Sequence, residues 1–156
     1  MNARLLQPQS DAQWLVARGL VEAYAASLEI DLAFQGFARE LERLPIEYSG
    51  VHGAFFLAED AGRYVGCVGV RRFAAQTAEM KRLYVGPPAR QRGMGRLLAH
   101  QAIESARALG YQRMLLDTLP TMHGALALYE SLGFRRIGAY RFNPIPGAVY
   151  MELVLR

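Results

Sequence analysis

The seven residues from Arg90 to Arg96, Arg-Gln-Arg-Gly-Met-Gly-Arg, have the types and the spacing that suit the binding of a phosphate. Gly93 and Gly95 carry no side chain at a point where the chain is expected to turn into a helix. The first N–H groups of a helix have no partner within it, and the helix dipole adds partial positive charge there. Because three arginines stand around this helix start, we expect it to bind a phosphate group. The glycines alone would indicate only a tight turn between a strand and a helix.

Other kinds of site are not expected from the sequence. A dinucleotide-binding loop would require a third glycine where Leu98 stands, and a Walker A loop would require its lysine, whereas the one lysine of the chain, Lys81, lies in a predicted strand. Cys67 has no obvious base beside it, so a cysteine nucleophile is not expected. The histidines are too scattered for a metal site, at positions 52, 100 and 123.

Basic residues are concentrated around the same segment. Of 18 lysines and arginines, five lie between Met80 and Ile103, a span without an acidic residue, which leaves 13 basic against 14 acidic residues elsewhere. A protein that coats a nucleic acid usually spreads its charge along a face or a tail. The local excess therefore favours a small polyanion as ligand and no nucleic-acid partner. A solvated, arginine-rich loop is the alternative interpretation.

Apolar periodicity predicts the elements that position this segment, in the order β-α-α-β-β-β-α-β-α-β-β. The predicted strands cover residues 3–7, 53–59, 64–73, 77–85, 113–118, 134–140 and 148–155. The predicted helices begin near Ser10, extend from after Asp31 to Pro45, and cover residues 92–109 and 122–132. Because hairpins alternate with helical crossovers, we expect an α+β (α/β) fold whose sheet is mixed and partly antiparallel.

The composition is typical of one globular domain covering residues 1–156. The chain is 52% apolar and 21% charged, with a mean hydropathy of +0.04, which excludes a disordered tail and a fibrous repeat. No apolar run reaches the ~18 residues of a membrane span, and residues 1–10 lack the apolar stretch of a secretory signal. With Cys67 as its one cysteine, the protein is expected to lack disulfides and to be cytoplasmic, with no membrane partner.

Three motifs in succession resemble the GCN5-related N-acetyltransferase (GNAT) family. They are Glu79–Val85, then Arg90-x-x-Gly93-x-Gly95, then Leu128–Phe134 with the sequence Leu-Tyr-Glu-Ser-Leu-Gly-Phe. The resemblance covers residues 50–156. Its specificity comes from the presence of both the second and the third motif, separated by the number of residues seen in this chain. It implies the acyl-CoA N-acyltransferase fold, a mixed, mostly antiparallel sheet of about seven strands with helices on both faces.

The resemblance also implies a binding site for acetyl-CoA as co-substrate, and no metal. In the family, the loop and helix start hold the pyrophosphate, and the preceding strand pairs its backbone with the pantetheine arm in a V-shaped slot beside the strand Leu115–Thr118. An exposed strand edge suits an extended chain of amides. The residues implied are Leu83, Tyr84, Val85, Arg90, Gln91, Arg92, Gly93, Met94, Gly95 and Arg96.

Two residues are candidates for the chemistry of acetyl transfer. The family's conserved tyrosine matches Tyr129, whose phenol would donate a proton to the leaving sulfur; packing on a helix face is its alternative role. Glu79 is the candidate base for the amine, and an ion pair with an arginine is its alternative. Many relatives have an asparagine seven residues before the tyrosine, where this chain has Met122.

The sequence therefore predicts an acetyl-CoA-dependent N-acetyltransferase that acts on a primary amine of a small molecule or peptide by direct attack in a ternary complex. A non-catalytic acyl-CoA-binding or sensing module is the alternative, and a homodimer is possible within this family. The acceptor is expected between the N-terminal helices and residues 139–150, where aromatic and acidic side chains would suit a cationic amine. Those side chains are Tyr24, Phe34, Phe37, Tyr140, Phe142 and Tyr150, with Glu22, Glu29, Asp31 and Glu47. Packing in the core is the alternative interpretation, and it is favoured for most of them.

Overall fold

A computed structural model describes residues 3–28, 30–33 and 36–155. It contains seven strands and five α-helices in the described ranges. They are β1 (Ala3–Leu6), α1 (Asp11–Leu28), α2 (Phe37–Glu42), α3 (Leu44–Glu47), β2 (Ala54–Asp60), β3 (Arg63–Ala74), β4 (Thr77–Val85), α4 (Met94–Ala108), β5 (Arg113–Thr118), α5 (His123–Ser131), β6 (Arg135–Ile137) and β7 (Val149–Val154).

The strands form one sheet in the order β1-β2-β3-β4-β5-β7-β6, in which β4 and β5 are parallel and every other neighbouring pair is antiparallel. Helices α4 and α5 cover one face, where buried Leu98 and Leu126 join the larger apolar core. Helices α1 and α3 cover the other face, where Val21 and Leu44 pack with Leu57. The predicted fold, a mixed and mostly antiparallel sheet with helices on both faces, is confirmed.

The second predicted helix is the largest local error. Instead of one helix ending at Pro45, the chain forms α2 and then α3, with Pro45 in the first turn of α3. Proline is tolerated there because the N–H it lacks would have had no partner within the helix. The last predicted helix and both central strands lie within one residue of their predicted bounds, while β6 is shorter than predicted because it ends at Ile137.

The two parallel strands separate toward their C-terminal ends. Their pairing is limited to three residues of each strand, from Thr77 opposite Arg113 to Glu79 opposite Leu115. Beyond that point β4 continues to Val85 and β5 to Thr118 without pairing each other. This opens the V-shaped slot that the family resemblance implied, and it leaves one backbone edge of residues 83–85 facing a cleft.

Candidate active site

A cleft of about 480 Å³ lies at the open end of the slot, between the last residues of β4, the start of α4 and the first turns of α5. Eight of the ten residues predicted to bind the cofactor line it, and the two exceptions are Arg92 and Arg96. The N-terminal helix contributes a further wall through Tyr24 and Leu28. Chain segments that are distant in sequence thus converge on one groove, and most of the predicted ligand-binding segment faces it.

Arg92 and Arg96 have side-chain partners of their own. The guanidinium of Arg92 lies 3.0 Å from Asp60 at the end of β2, and Arg96 donates to Ser131 Oγ in α5 at 2.7 Å. Both contacts tie the start of α4 to neighbouring elements. The positive charge predicted to surround the helix start is therefore partly used in holding that helix in place.

The start of α4 has the backbone geometry of an anion site. Gly93 is the N-cap residue with φ +82°, a left-handed conformation that favours glycine, and no side chain among the described residues caps this end. The first intrahelical bond runs from Leu97 N to Gly93 O, so the preceding N–H groups of the first turn point toward the N-terminal end of the helix. Gln91 also has a positive φ of 63°, which places backbone strain in this loop. These amides and the helix dipole suit a phosphate.

Arg90 is the exposed cation of this cleft. Its Nε donates to the carbonyl of Val85 at 2.8 Å, and its guanidinium lies 5.8 Å from the ring centre of Tyr84. The side chain therefore stays at the end of β4, beside the helix start, where its charge reinforces the anion site.

A smaller chamber of about 40 Å³ continues inward from the cleft, sharing walls with it at Leu83 and Met122. Four groups capable of acid–base chemistry meet here: Tyr24 from α1, Tyr129 from α5, Lys81 from β4 and Asp117 from β5. The cleft suits an extended ligand with a phosphate at one end, and the chamber suits the reaction at its other end.

Tyr129 lies in the wall of the chamber and is 7% exposed. Its ring packs edge to face with that of Phe134 at 5.7 Å between centres. Burial raises the pKa of Tyr129 above its usual value, with smaller contributions from Tyr24 and Asp117. The phenol therefore keeps its proton at neutral pH, as a proton donor must. The contact with Phe134 shows that the ring also packs within the core.

Glu79 is fully buried and surrounded by partners. Its carboxylate accepts from Tyr140 OH at 2.7 Å and from Arg71 Nε at 3.2 Å, and lies 2.6 Å from Arg141 Nη2 and 4.0 Å from Lys81 Nζ. Burial alone would raise the pKa of Glu79, but Lys81, Arg141 and Arg71 outweigh it and the pKa is lowered. These contacts match the alternative role left open by the sequence, that of an ion-pair partner.

Residues 138–148, which join β6 to β7, form a strap across the diverging strands. Tyr140 and Arg141 attach the strap to β4 through Glu79, and Asn143 Nδ2 donates to Asp117 Oδ2 at 3.3 Å on β5. The strap thus connects both sides of the slot on the face opposite α4.

Asp117 and Lys81 are site residues that the sequence reasoning missed. The side chain of Asp117 is 4% exposed and that of Lys81 is 2% exposed, with Asp117 Oδ1 3.8 Å from Lys81 Nζ. A carboxylate directly after the apolar residues 114–116 of a predicted strand was the available signal for Asp117. For Lys81, the signal was the one lysine of the chain in a predicted strand, two residues after Glu79 and therefore on the same face of that strand.

Arg82 forms a β-bulge on β4 and was not assigned a role from the sequence. It has φ +62°, and the β3–β4 register shifts at this point. The Cys67 thiol donates to the Arg82 carbonyl at 3.3 Å, and the guanidinium makes two bonds, of 2.9 and 2.8 Å, to Glu40 of α2. Tyr48 OH also donates to Glu40, at 3.0 Å. The bulge redirects the backbone just before residues 83–85.

Two of the five cations predicted to form a basic patch are therefore buried. Lys81 and Arg82 lie behind the slot and are paired with carboxylates, so they do not form part of an exposed patch. The remaining arginines, at positions 90, 92 and 96, are exposed near the helix start. The observed patch is smaller than the sequence suggested, and it is confined to the anion site.

Only some of the residues expected to surround the acceptor lie at the cleft or the chamber. Tyr24 lines both the cleft and the chamber, whereas Glu22 and Asp31 are exposed and Glu47 lies 3.8 Å from Arg71. Phe142, on the strap, is 78% exposed, and the rings of Tyr140 and Tyr150 stack edge to face. Phe37 packs in the smaller apolar cluster. Two further candidates, Glu29 and Phe34, lie outside the described residues.

Comparison with known proteins identifies the family. The sequence profile of the acetyltransferase (GNAT) family matches residues 19–134. The chain belongs to this family. An uncharacterised N-acetyltransferase of Schizosaccharomyces pombe is 42% identical over 136 residues, covering 86% of this acetyltransferase and 83% of that protein. Together these matches make the protein an N-acetyltransferase.

Solved structures share the fold of this acetyltransferase. An acetyltransferase from Streptococcus agalactiae has a TM-score of 0.81 at 22% identity, with 99% of each chain covered. A protein from Salmonella typhimurium, whose structure contains its cofactor acetyl-CoA, has a TM-score of 0.73 at 19% identity, covering 100% of this chain and 95% of that one. At these identities the likeness concerns the fold.

Across the described ranges, no cluster of three His, Cys, Asp or Glu side chains could hold a metal ion. None of the helices in the described part of the chain combines the length and apolar character needed to span a bilayer.

Proposed function

We propose that this protein transfers an acetyl group from acetyl-CoA to a primary amine of a small molecule or peptide by direct attack in a ternary complex. The observation that carries the proposal is the continuity of the cleft with the chamber. An anion site at the start of α4 lies at one end, and Tyr129 and Asp117 lie in the chamber at the other. A ligand with a phosphate group and a distant reactive end fits this arrangement.

The residues present fit acetyl-CoA. The N–H groups at the start of α4 and the Arg90 guanidinium would hold its pyrophosphate. The open backbone edge of residues 83–85 would pair with the amides of the pantetheine arm, as an added strand does. The Arg82 bulge lies directly before these residues, so it sets the direction in which their N–H groups point.

Acetyl transfer requires the protein to remove protons from the amine, to protonate the leaving sulfur and to polarise the thioester carbonyl. A neutral amine must attack the thioester carbonyl, and the departing sulfur gains from receiving a proton. Tyr129, which keeps its proton, supplies the acid. Backbone N–H groups of residues 83–85 polarise the carbonyl. Asp117 is the carboxylate in the chamber wall, and we propose that it holds the incoming ammonium group until that group loses one proton to water. After the attack the nitrogen loses a second proton, which passes through water to the Tyr129 phenolate and restores the acid.

Replacing Tyr129 with phenylalanine is expected to lower kcat about 100-fold, because the acid is lost while the packing against Phe134 is kept. The KM for acetyl-CoA should change little. Initial rates at saturating acetyl-CoA measure both quantities. Tyr64→Phe, outside the chamber, serves as the matched control and should retain the wild-type kcat. A wild-type kcat in Tyr129→Phe would leave Tyr129 with packing as its role.

For Glu79 we propose that it positions the strap and does not act as the base. Glu79→Gln is expected to raise the acceptor KM about tenfold with a smaller effect on kcat, and to leave the pH dependence of kcat unchanged. Tyr140→Phe, which removes one of the bonds from the strap to Glu79, should change the acceptor KM in the same direction. Loss of the acidic limb of the pH profile in Glu79→Gln would instead assign the base role to Glu79.

The direct test of the function is an assay of coenzyme A release with a panel of primary amines, in which the acetylated products are detected by mass spectrometry. We expect acetyl-CoA-dependent acetylation of at least one amine. Double-reciprocal plots of initial rate against amine concentration, at several fixed concentrations of acetyl-CoA, should give lines that intersect, as they do for a ternary complex. Parallel lines would indicate an acetylated enzyme intermediate. Binding of acetyl-CoA without turnover of any amine would favour a binding or sensing module.

A further inference from the structure

One side chain of the strap reaches the chamber, and it is hydrogen-bonded to Asp117. Among the described residues that line the chamber, Asn143 is the one that comes from the strap. Its Nδ2 donates to Asp117 Oδ2 at 3.3 Å, while Asp117 Oδ1 lies 3.8 Å from Lys81 Nζ. The two oxygens of the Asp117 carboxylate therefore face different elements, the strap and β4.

The contact with Asn143 depends on direction more than the contact with Lys81 does. A separation of 3.8 Å is an ion-pair distance, too long for a hydrogen bond, and the attraction at that distance depends mainly on how far apart the charges are. At 3.3 Å the contact with Asn143 is at the long end of hydrogen-bond distances, where the angle still matters. Asn143 is therefore the group that fixes where the Asp117 carboxylate points.

A turn in the strap determines which way the Asn143 amide faces. The backbone N–H of Ile145 donates to Asn143 Oδ1 at 2.9 Å. Because a backbone N–H can only donate, the amide oxygen belongs on the side of Ile145 and the amide NH₂ group on the side of Asp117. The reversed amide would place a donor against a donor and an oxygen against a carboxylate. Both contacts thus select the same orientation.

The strap is fixed on both sides of Asn143. Before this residue, the guanidinium of Arg141 lies 2.6 Å from the carboxylate of Glu79. After it, Pro144 and Pro146 restrict φ at two of the next three positions. The amide is therefore held beside the chamber before any acceptor arrives, and little conformational freedom remains to be lost when one binds.

Asn143 orients the carboxylate without adding charge to the chamber. A neutral amide does not repel an incoming ammonium group, as a guanidinium in the same place would. An ionised carboxylate offers about four lone-pair sites, so the bond from Asn143 leaves others for the acceptor.

We infer that Asn143 is a positioning residue for the acceptor amine, because it fixes the direction of the Asp117 carboxylate that holds the ammonium group. The inference rests on the proposed function and deepens it by assigning the acceptor subsite to the Asn143–Asp117 pair. It also explains how the strap, which is attached to β4 at Glu79, would affect the acceptor KM.

The first test is Asn143→Ala, assayed with ethylamine, putrescine, lysine and triglycine. With the best of these acceptors for the wild type, the substitution should raise the acceptor KM about tenfold and change kcat less than about threefold. The Kd for acetyl-CoA should stay within about twofold, since Asn143 lines the chamber and not the cleft. Pro146→Ala, an exposed substitution in the same strap, is the control and should keep the wild-type acceptor KM. An unchanged acceptor KM in Asn143→Ala would overturn the inference.

A double-mutant cycle with Asp117 separates positioning from a merely structural role of the strap. If Asn143 acts through Asp117, Asn143→Ala should lower kcat/KM for the acceptor about tenfold in the wild type. In Asp117→Ala, where no carboxylate remains to be oriented, it should lower kcat/KM less than about twofold. Equal decreases in the two backgrounds would show that Asn143 acts independently of Asp117 and would overturn the inference. If Asp117→Ala does not fold, Asp117→Asn, which keeps the size but not the charge, takes its place.

The failure of this inference can be distinguished from the failure of the proposed function. If acetyl-CoA binds and an amine is acetylated, but Asn143→Ala keeps the wild-type acceptor KM, only the inference is wrong. If acetyl-CoA does not bind to the folded protein, or binds without acetylation of any amine tested, the proposed function fails and the inference fails with it.

Discussion

Replacement of Glu40 with alanine is expected to lower the free energy of unfolding by about 3–5 kcal/mol, because it leaves the buried guanidinium of Arg82 without its counter-charge. Glu40 is 3% exposed and Arg82 is 4% exposed, and the two bonds between them, at 2.9 and 2.8 Å, join α2 to the bulge of β4. For a domain of this size, the midpoint of thermal unfolding should fall by roughly 6–20 °C. Differential scanning calorimetry measures the change.

The matched control is Glu59→Ala, which breaks an ion pair with Arg4 whose arginine side chain is 69% exposed. An exposed pair of this kind contributes about 1 kcal/mol or less. A decrease for Glu40→Ala no larger than that for Glu59→Ala would contradict the structural role assigned to the Glu40–Arg82 pair.

The Glu40–Arg82 pair should also make the stability of the protein depend on pH. Burial alone would raise the pKa of Glu40, but its hydrogen bonds and ion pair with Arg82 lower the pKa below the ordinary value of 4.5. The carboxylate therefore contributes stability above pH 4.5, and that stability is lost as the pH falls through the lower native pKa. The free energy of unfolding of the wild type, measured with denaturant, should fall steeply as the pH is lowered below 4.5. In Glu40→Gln the free energy of unfolding should depend less steeply on pH in the same range. Equal slopes would contradict this assignment.

Substitution of Gly95 with glutamate is expected to weaken the binding of acetyl-CoA at least 100-fold. A Cβ at this position would lie 3.6 Å from Leu128 Cδ2 and 4.0 Å from Val85 Cγ2, ordinary contact distances that the fold should tolerate. Leu128 and Val85 both line the cleft, so the longer glutamate side chain would enter the space of the ligand. Its negative charge at the helix N-terminus would also repel a phosphate. Isothermal titration calorimetry gives the Kd.

Gly19→Glu is the matched control for this substitution. Gly19 lies exposed in α1, and a Cβ there would meet no atom within 4 Å. The same change of size and charge should therefore leave acetyl-CoA binding unchanged. If Gly95→Glu folds and binds acetyl-CoA like the wild type, the cleft is not where the ligand binds.

The sequence predicted the scaffold of the site better than its charges. The bounds of β4 and β5 and the glycines at positions 93 and 95 follow from local patterns, because periodicity and turn chemistry act over a few residues. The position of the cleft followed from these elements and from the family motifs. All of this information is local or is carried by short motifs.

The charge network could not be predicted in the same way. Glu40 and Arg82 are 42 residues apart, and Tyr140 reaches Glu79 across 61 residues, so no local pattern pairs them. The cations at positions 81 and 82 looked like part of an exposed patch because the sequence does not show that a bulge turns Arg82 toward α2. The split of the second helix has a similar cause, since proline is acceptable both after a helix and within a first turn.

The most direct test of acetyl-CoA binding is a thermal-shift titration of the wild-type protein with acetyl-CoA, coenzyme A, ATP and NAD. At about 100 times the Kd, a ligand that binds only the native state stabilises it by about 2.7 kcal/mol, which corresponds to several degrees here. We expect such a shift with acetyl-CoA and coenzyme A, and none of comparable size with ATP or NAD. If neither coenzyme A species shifts the midpoint of unfolding, the cleft does not bind acetyl-CoA.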